Sequence, residues 1–209
     1  MLSVARSALR FLVLGDSIAF GTGASRAGDT LGRRLMAALT DDGVDVDLHV
    51  LAVPGAVSAD LPRQVRAAEP LAADLALVVI GANDLTRLVP PEQAAASLDA
   101  ALRALRAAGT DVVLVPAPDM SGVPFVPPAF RPLVQAACAQ LQRRQAAVAT
   151  ATGATVAAVA DVNRVFGSDP SLFAADRFHP SSAGYARIAA ALIPTVLAVA
   201  RARRDDAAA

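Results

Sequence analysis

The chain has 209 residues, 55% of them hydrophobic and 18% charged, with a mean hydropathy of +0.47, which excludes intrinsic disorder and fits a single domain. Its 19 basic residues, all arginine, balance 19 acidic ones, so no net field draws it to nucleic acid or an anionic membrane. One cysteine, Cys138, rules out an internal disulfide and a cysteine-rich zinc site, and no run reaches the roughly 18 apolar residues of a membrane span.

Residues 1–14 superficially resemble a secretion signal, with Arg6 and Arg10 ahead of an apolar Phe11–Leu14. That stretch is shorter than the roughly 7–15 residues of a signal core and runs directly into Gly15-Asp16-Ser17, so a strand is the better reading and a cytoplasmic location is expected. Further Val- and Leu-rich runs follow at 46–53, 75–80, 111–115 and 155–159, each apolar enough for a strand covered on both faces. Helical spacing intervenes: Leu31, Leu35 and Leu39; then a short helix over 58–69 with Leu61 and Val65 inward; then Leu98, Leu102 and Leu105. Leu133, Ala137 and Leu141 mark another face, and Ile188, Leu192, Val196 and Val199 the last. The stretch 116–132 is proline-rich and reads as a long loop, and 1–8 and 201–209 read as frayed ends of one domain spanning 1–209. Five strand–helix alternations predict an α/β fold, a parallel sheet with helices on both faces.

In such sheets reactive groups sit at the carboxyl ends of the strands. The residues there are Gly15-Asp16-Ser17, Pro54-Gly55, Gly81-Ala82-Asn83-Asp84, Pro116–Asp119 and Asp161. A serine hydroxyl is a weak nucleophile until a base takes its proton. Of the two histidines, His49 falls inside the second strand and reads as locally satisfied, which leaves His179. Asp176 precedes it by three residues, close enough in a turn to accept from Nδ1, fix the tautomer and leave Nε2 for Ser17. Backbone N–H groups near Ser17 and Gly55, with the amide of Asn83, would converge from three strand ends to hold an oxyanion.

These blocks, in this order, resemble the GDSL-type (SGNH) hydrolases: Gly15-Asp16-Ser17-Ile18, Gly55, Gly81-Ala82-Asn83-Asp84 and Asp176-Arg177-Phe178-His179-Pro180. The resemblance implies a flavodoxin-like three-layer α/β/α sandwich around a five-stranded parallel sheet. It also implies Ser17 as nucleophile and oxyanion donor, Gly55 and Asn83 as further donors, His179 as general base and acid, and Asp176 as its orienting partner. Two departures stand out. Many members carry an asparagine shortly before the second-block glycine, where this chain has Val50–Pro54, so the path of the Gly55 turn is open. The stretch after Ser17, Ala19–Gly23, is Gly-rich and would loosen the loop on the substrate side. A different family, the α/β-hydrolases, is excluded because Ala19 stands at the second glycine of their Gly-x-Ser-x-Gly elbow.

Several residues have plainer readings. Asp16 is expected to bond backbone, and Cys138 to be a small core residue. Gly21 and Gly23 lack the third glycine of a dinucleotide fingerprint, since Arg26 stands there. The two histidines lie far apart, with no cysteine or glutamate at ligand spacing, so neither a metal nor an organic cofactor is expected. Phe125 and Phe130 on the proline-rich loop, facing Phe173 and Phe178, would wall an apolar pocket suited to short or medium acyl esters. The expected activity is that of a serine carboxylic ester hydrolase using an acyl-enzyme, with a small-molecule ester as its partner. An acyltransferase or thioesterase would use the same residues, and a non-catalytic binding module would have no need of all of them.

Overall fold

A computed structural model describes residues 8–124 and 126–206. Strand β1 (Leu9–Gly15) leads into a one-turn helix α1 (Ser17–Phe20) and then α2 (Leu31–Asp41), β2 (Val46–Val50) and α3 (Leu61–Ala68). Strand β3 (Leu75–Val79) is followed by the short α4 (Ala82–Thr86) and the long α5 (Pro91–Ala107), and β4 (Asp111–Val115) by α6 (Arg131–Thr152). The chain ends with β5 (Thr155–Val156), α7 (Ala160–Phe166) and α8 (Ser182–Asp206). All strands pair in parallel in the order β2-β1-β3-β4-β5, the flavodoxin-like arrangement.

Alternation along the central strands divides the core in two. Phe11 and Val13 of β1, Leu75, Leu77 and Val79 of β3, and Val113 of β4 meet Leu31, Leu35 and Leu39 of α2 and Ile188, Leu192 and Val196 of α8. On the other face Leu12 and Leu14, Ala76 and Val78, and Val112 and Leu114 meet Leu61 and Val65 of α3, and Leu98, Leu102 and Leu105 of α5. Helix α8 is long and apolar enough by composition to cross a membrane, yet its inward stripe forms part of this core.

The edges depart from the sequence reading. The regular ladder of β2 stops at Val50 and that of β5 at Val156, although single bonds to the neighbouring strand continue from the N–H groups of Leu51, Val53 and Ala157; β2 is half-exposed and carries His49, whose ring bonds Asp47 at 2.9 Å. Of the expected inward face of α6 only Leu141 is buried, with Cys138, Gln145 and Ala149 beside it; Ala137 is exposed and Leu133 is 69% exposed. The first turns of α6 present Val134 inward, against the small cluster of Met120, Val123 and Cys138, and that leaves Leu133 on the outer side. Nor is the C-terminal segment frayed over 201–206: α8 continues there, because Arg201 pairs with Asp42 while Arg203 donates to the Gly109 carbonyl (2.9 Å), Asp111 (3.0 Å) and Asp74 (3.1 Å). Burial pushes the Asp74 carboxyl up, but the guanidinium groups of Arg10 and Arg203 outweigh it and hold it at about 2. Residues 1–7 and 207–209 lie outside the described residues.

Candidate active site

The site is set by how β1 ends. Gly15 has φ +130°, and a Cβ there would stand 1.8 Å from the Val79 carbonyl oxygen, so only glycine lets β1 and β3 lie this close. Past β2 the chain still bonds β1, Leu51 N–H on the Val13 carbonyl and Val53 N–H on the Gly15 carbonyl, both at 3.0 Å, and the buried amide of Gln64 joins them: Oε1 accepts from the Gly15 N–H and Nε2 donates to the Gly15 carbonyl, both at 2.8 Å. A second buried amide, Gln145, accepts from the Ala117 N–H (2.7 Å) and donates to the Ile80 carbonyl (2.9 Å), pinning the ends of β3 and β4 together.

Asp16 then caps α1, its Oδ1 accepting from the Ile18 N–H at 2.9 Å, as its sequence position suggested. Its Oδ2 is buried without a hydrogen-bond partner, and burial, reinforced by the charge of Asp84, pushes the carboxyl up to about 7 against the pull of nearby backbone amides. Ser17 is the first residue of α1, 4% exposed, and its own N–H belongs to the helix-start amides that have no intrahelical acceptor.

From the other end of the chain, an antiparallel bridge between Phe173 and Pro180 closes the turn that carries Asp176 and His179. Asp176 Oδ1 accepts from the N–H groups of Phe178 and His179, both at 3.0 Å, while Oδ2 meets His179 Nδ1 at 2.6 Å. Burial pushes the Asp176 carboxyl up, but the bonds from the His179 ring and the two amides outweigh it and hold it below the usual carboxylate range. His179 Nε2 lies 2.9 Å from Ser17 Oγ, and the ring of Phe178 packs edge-on against the imidazole with centroids 5.0 Å apart. Residues 17, 176 and 179 thus form one continuous chain of hydrogen bonds.

On the β2 side the open question of the Gly55 turn is resolved. Ala56 N–H bonds the Val53 carbonyl at 3.0 Å and Gly55 has φ +82°, the signature of a type II turn with Pro54 at its second position and Gly55 at its third. In such a turn the third residue's N–H takes no part in closing the turn, and among the described residues the Gly55 N–H has no acceptor. On the β3 side, Asn83 in α4 gives one amide hydrogen to the Ala56 carbonyl at 3.0 Å, leaving the second. Because β1 lies between β2 and β3, the Ser17 turn is flanked by these two donors.

Beside Ser17 and His179 opens an apolar cavity of about 70 Å³. Phe173 and Phe178 line it as the sequence suggested, with Val123 from the proline-rich loop. Phe130 does not: it is 57% exposed, on the outer side of the short turn that starts α6. Phe125 lies outside the described residues. Sequence reasoning missed Met120, Val162 and Phe166, which also line the cavity, Phe166 stacking edge-on against Phe173 at 5.3 Å. Val162 and Phe166 follow the fifth strand, so the strand-end rule was the signal that could have found them. Among the described residues no cluster of His, Cys, Asp or Glu could hold a metal ion.

Comparison with known proteins fits this geometry. The model of the GDSL-like lipase/acylhydrolase family matches residues 13–187. The chain belongs to that family. It is 33% identical over 183 residues to the GDSL-like esterase Rv1075c of Mycobacterium tuberculosis, covering 85% of this chain but only 58% of that protein's length. In fold it is similar to TesA (TM-score 0.74, 24% identity, covering 91% of this chain and 99% of that one). It is likewise similar to the acetylxylan esterase Axe2 of Geobacillus stearothermophilus (TM-score 0.74, 20% identity, 91% and 94%).

Proposed function

We propose that this chain is a serine ester hydrolase acting through an acyl-enzyme. The observation that carries the reading is the unbroken Asp176–His179–Ser17 chain at 2.6 and 2.9 Å, supported by family membership. Ser17 Oγ attacks the ester carbonyl carbon while its proton passes to His179 Nε2. The carbonyl oxygen becomes an oxyanion held by the Ser17 and Gly55 N–H groups and the remaining amide hydrogen of Asn83. As the tetrahedral species collapses, the bond to the alcohol oxygen breaks and His179 returns the proton to it. Water then attacks the acyl-serine, giving a proton to His179, and the second collapse releases the acid and re-protonates Ser17. Asp176 stays ionised throughout, holding the ring and the imidazolium that forms.

The cavity of about 70 Å³ supports a small acyl group. A dry cavity of about 150 Å³ holds benzene, so this one suits an acyl chain of about two to four carbons. Its apolar walls favour neutral acyl groups.

Hydrolysis of p-nitrophenyl acetate and butyrate by the wild type and Ser17→Ala tests the assignment. The variant is expected to fall to near the uncatalysed rate and to resist labelling by a fluorophosphonate probe. Turnover retained by Ser17→Ala would overturn it.

A further inference from the structure

We infer that Arg87 is a positioning residue of the proposed oxyanion site: by holding the Gly55 carbonyl it docks the β2 turn on α4 and so sets how far the Gly55 N–H stands from Asn83. The inference rests on the esterase reading above. Helix α4 is a single turn, and a Schellman-type ending stops it, with Leu88 N–H on the Leu85 carbonyl (3.2 Å) and Val89 N–H on the Asp84 carbonyl (2.9 Å). Leu88 takes the left-handed position, φ +53°, usually occupied by glycine, and is 87% exposed. The helix therefore ends at Arg87, four residues after Asn83 and on the same face.

That face grips the β2 turn residue by residue. Arg87 Nη2 donates to the Gly55 carbonyl at 2.8 Å, and Asn83 Nδ2 to the Ala56 carbonyl at 3.0 Å. Between them Asp84 accepts from the Ser58 N–H (3.0 Å) and Oγ (3.1 Å). One helical turn thus holds two consecutive carbonyls and Ser58, two residues beyond them. The peptide unit between Gly55 and Ala56 is held on one side by the Ala56 N–H on the Val53 carbonyl, but that bond does not tie the turn to α4, and a glycine in a turn is the easiest residue to rotate. Arg87 holds the same unit at its carbonyl end, from the surface, and so ties the turn to α4 at Gly55 itself. Its other nitrogen donors are not required, so a single ammonium on a long stem can replace it.

The test compares Arg87→Ala and Arg87→Lys with the wild type on a p-nitrophenyl ester, reading kcat and KM separately, alongside thermal midpoint and the fluorophosphonate inactivation rate. Losing an oxyanion donor outright costs about 10²–10³ in kcat. Loosening one that its turn still holds is expected to cost about tenfold for Arg87→Ala, in kcat and in the inactivation rate, with KM within twofold. Because Arg87 is exposed, the thermal midpoint is expected to stay unchanged, and Arg87→Lys to recover most of the rate. Unchanged kcat, a change in KM alone, or a loss that lysine does not restore would overturn the role of Arg87. Ser17→Ala in the same assay separates that failure from failure of the esterase reading: only in the latter does Ser17→Ala keep its activity.

Discussion

The buried carboxyl of Asp16, one residue before Ser17, should make the protein less stable as pH rises through neutrality. Burial pushes it from its ordinary 3.8 up to about 7, so the folded chain holds a proton there that the unfolded chain releases. For a carboxyl raised in the folded state, stability is greatest below the unfolded value, falls between the two values, and is flat above the folded one. At about 1.4 kcal/mol per unit, the portion falling between pH 5 and pH 8 is about 3 kcal/mol. This window avoids Asp74 and Asp176, which are held below the ordinary carboxylate range and act mostly in more acidic solution. Asp84 is raised too, first by its burial, but it is present in both proteins compared. The perturbation is Asp16→Asn, which keeps an oxygen to cap Ile18 N–H but cannot ionise. Urea unfolding at pH 5, 6, 7 and 8 should show the wild type losing about 3 kcal/mol relative to the variant across the series. Parallel curves would show that Asp16 titrates alike in both states and refute the reasoning.

Asn83→Ala should lower kcat on a p-nitrophenyl ester by about 10²–10³, the usual loss for one oxyanion donor; an unchanged kcat would remove it from the hole. Replacing Phe166 by alanine should enlarge the cavity and lengthen the best acyl chain by about two carbons, read from a series of p-nitrophenyl esters. The same series should show the wild type declining beyond butyrate. Leu88→Gly should stabilise the fold by up to about 1 kcal/mol, since the left-handed conformation strains leucine and not glycine, and an exposed side chain gives up little burial. A lower urea midpoint would contradict that account.

Much of the site was legible in order along the chain. Gly15-Asp16-Ser17 closes an apolar run, and Asp176 and His179 lie three residues apart, so the cap, the turn and the carboxylate–imidazole contact follow from neighbouring residues alone. The central strands were equally plain, since burial on both faces demands unbroken apolar sequence. Errors came where burial depends on distant segments. Leu133 has helical spacing but its neighbour Val134 takes the inward position, and Phe130 is aromatic but stays exposed, outside the cavity that Val162 and Phe166 help to line. Arg203 looked like part of a loose tail until Asp74 and Asp111, far back along the chain, came to meet it.

Local chemistry therefore established the strands, the nucleophile's turn and the acid–imidazole pair, because each is a property of a few consecutive residues. The sheet order alone brought Ser17 against His179 across most of the chain, set Gln64 against the end of β1 and laid Arg87 on the Gly55 turn. Those contacts join segments with no common sequence pattern, so they exist only once the packing of helices on a twisted sheet has fixed which strand ends are neighbours.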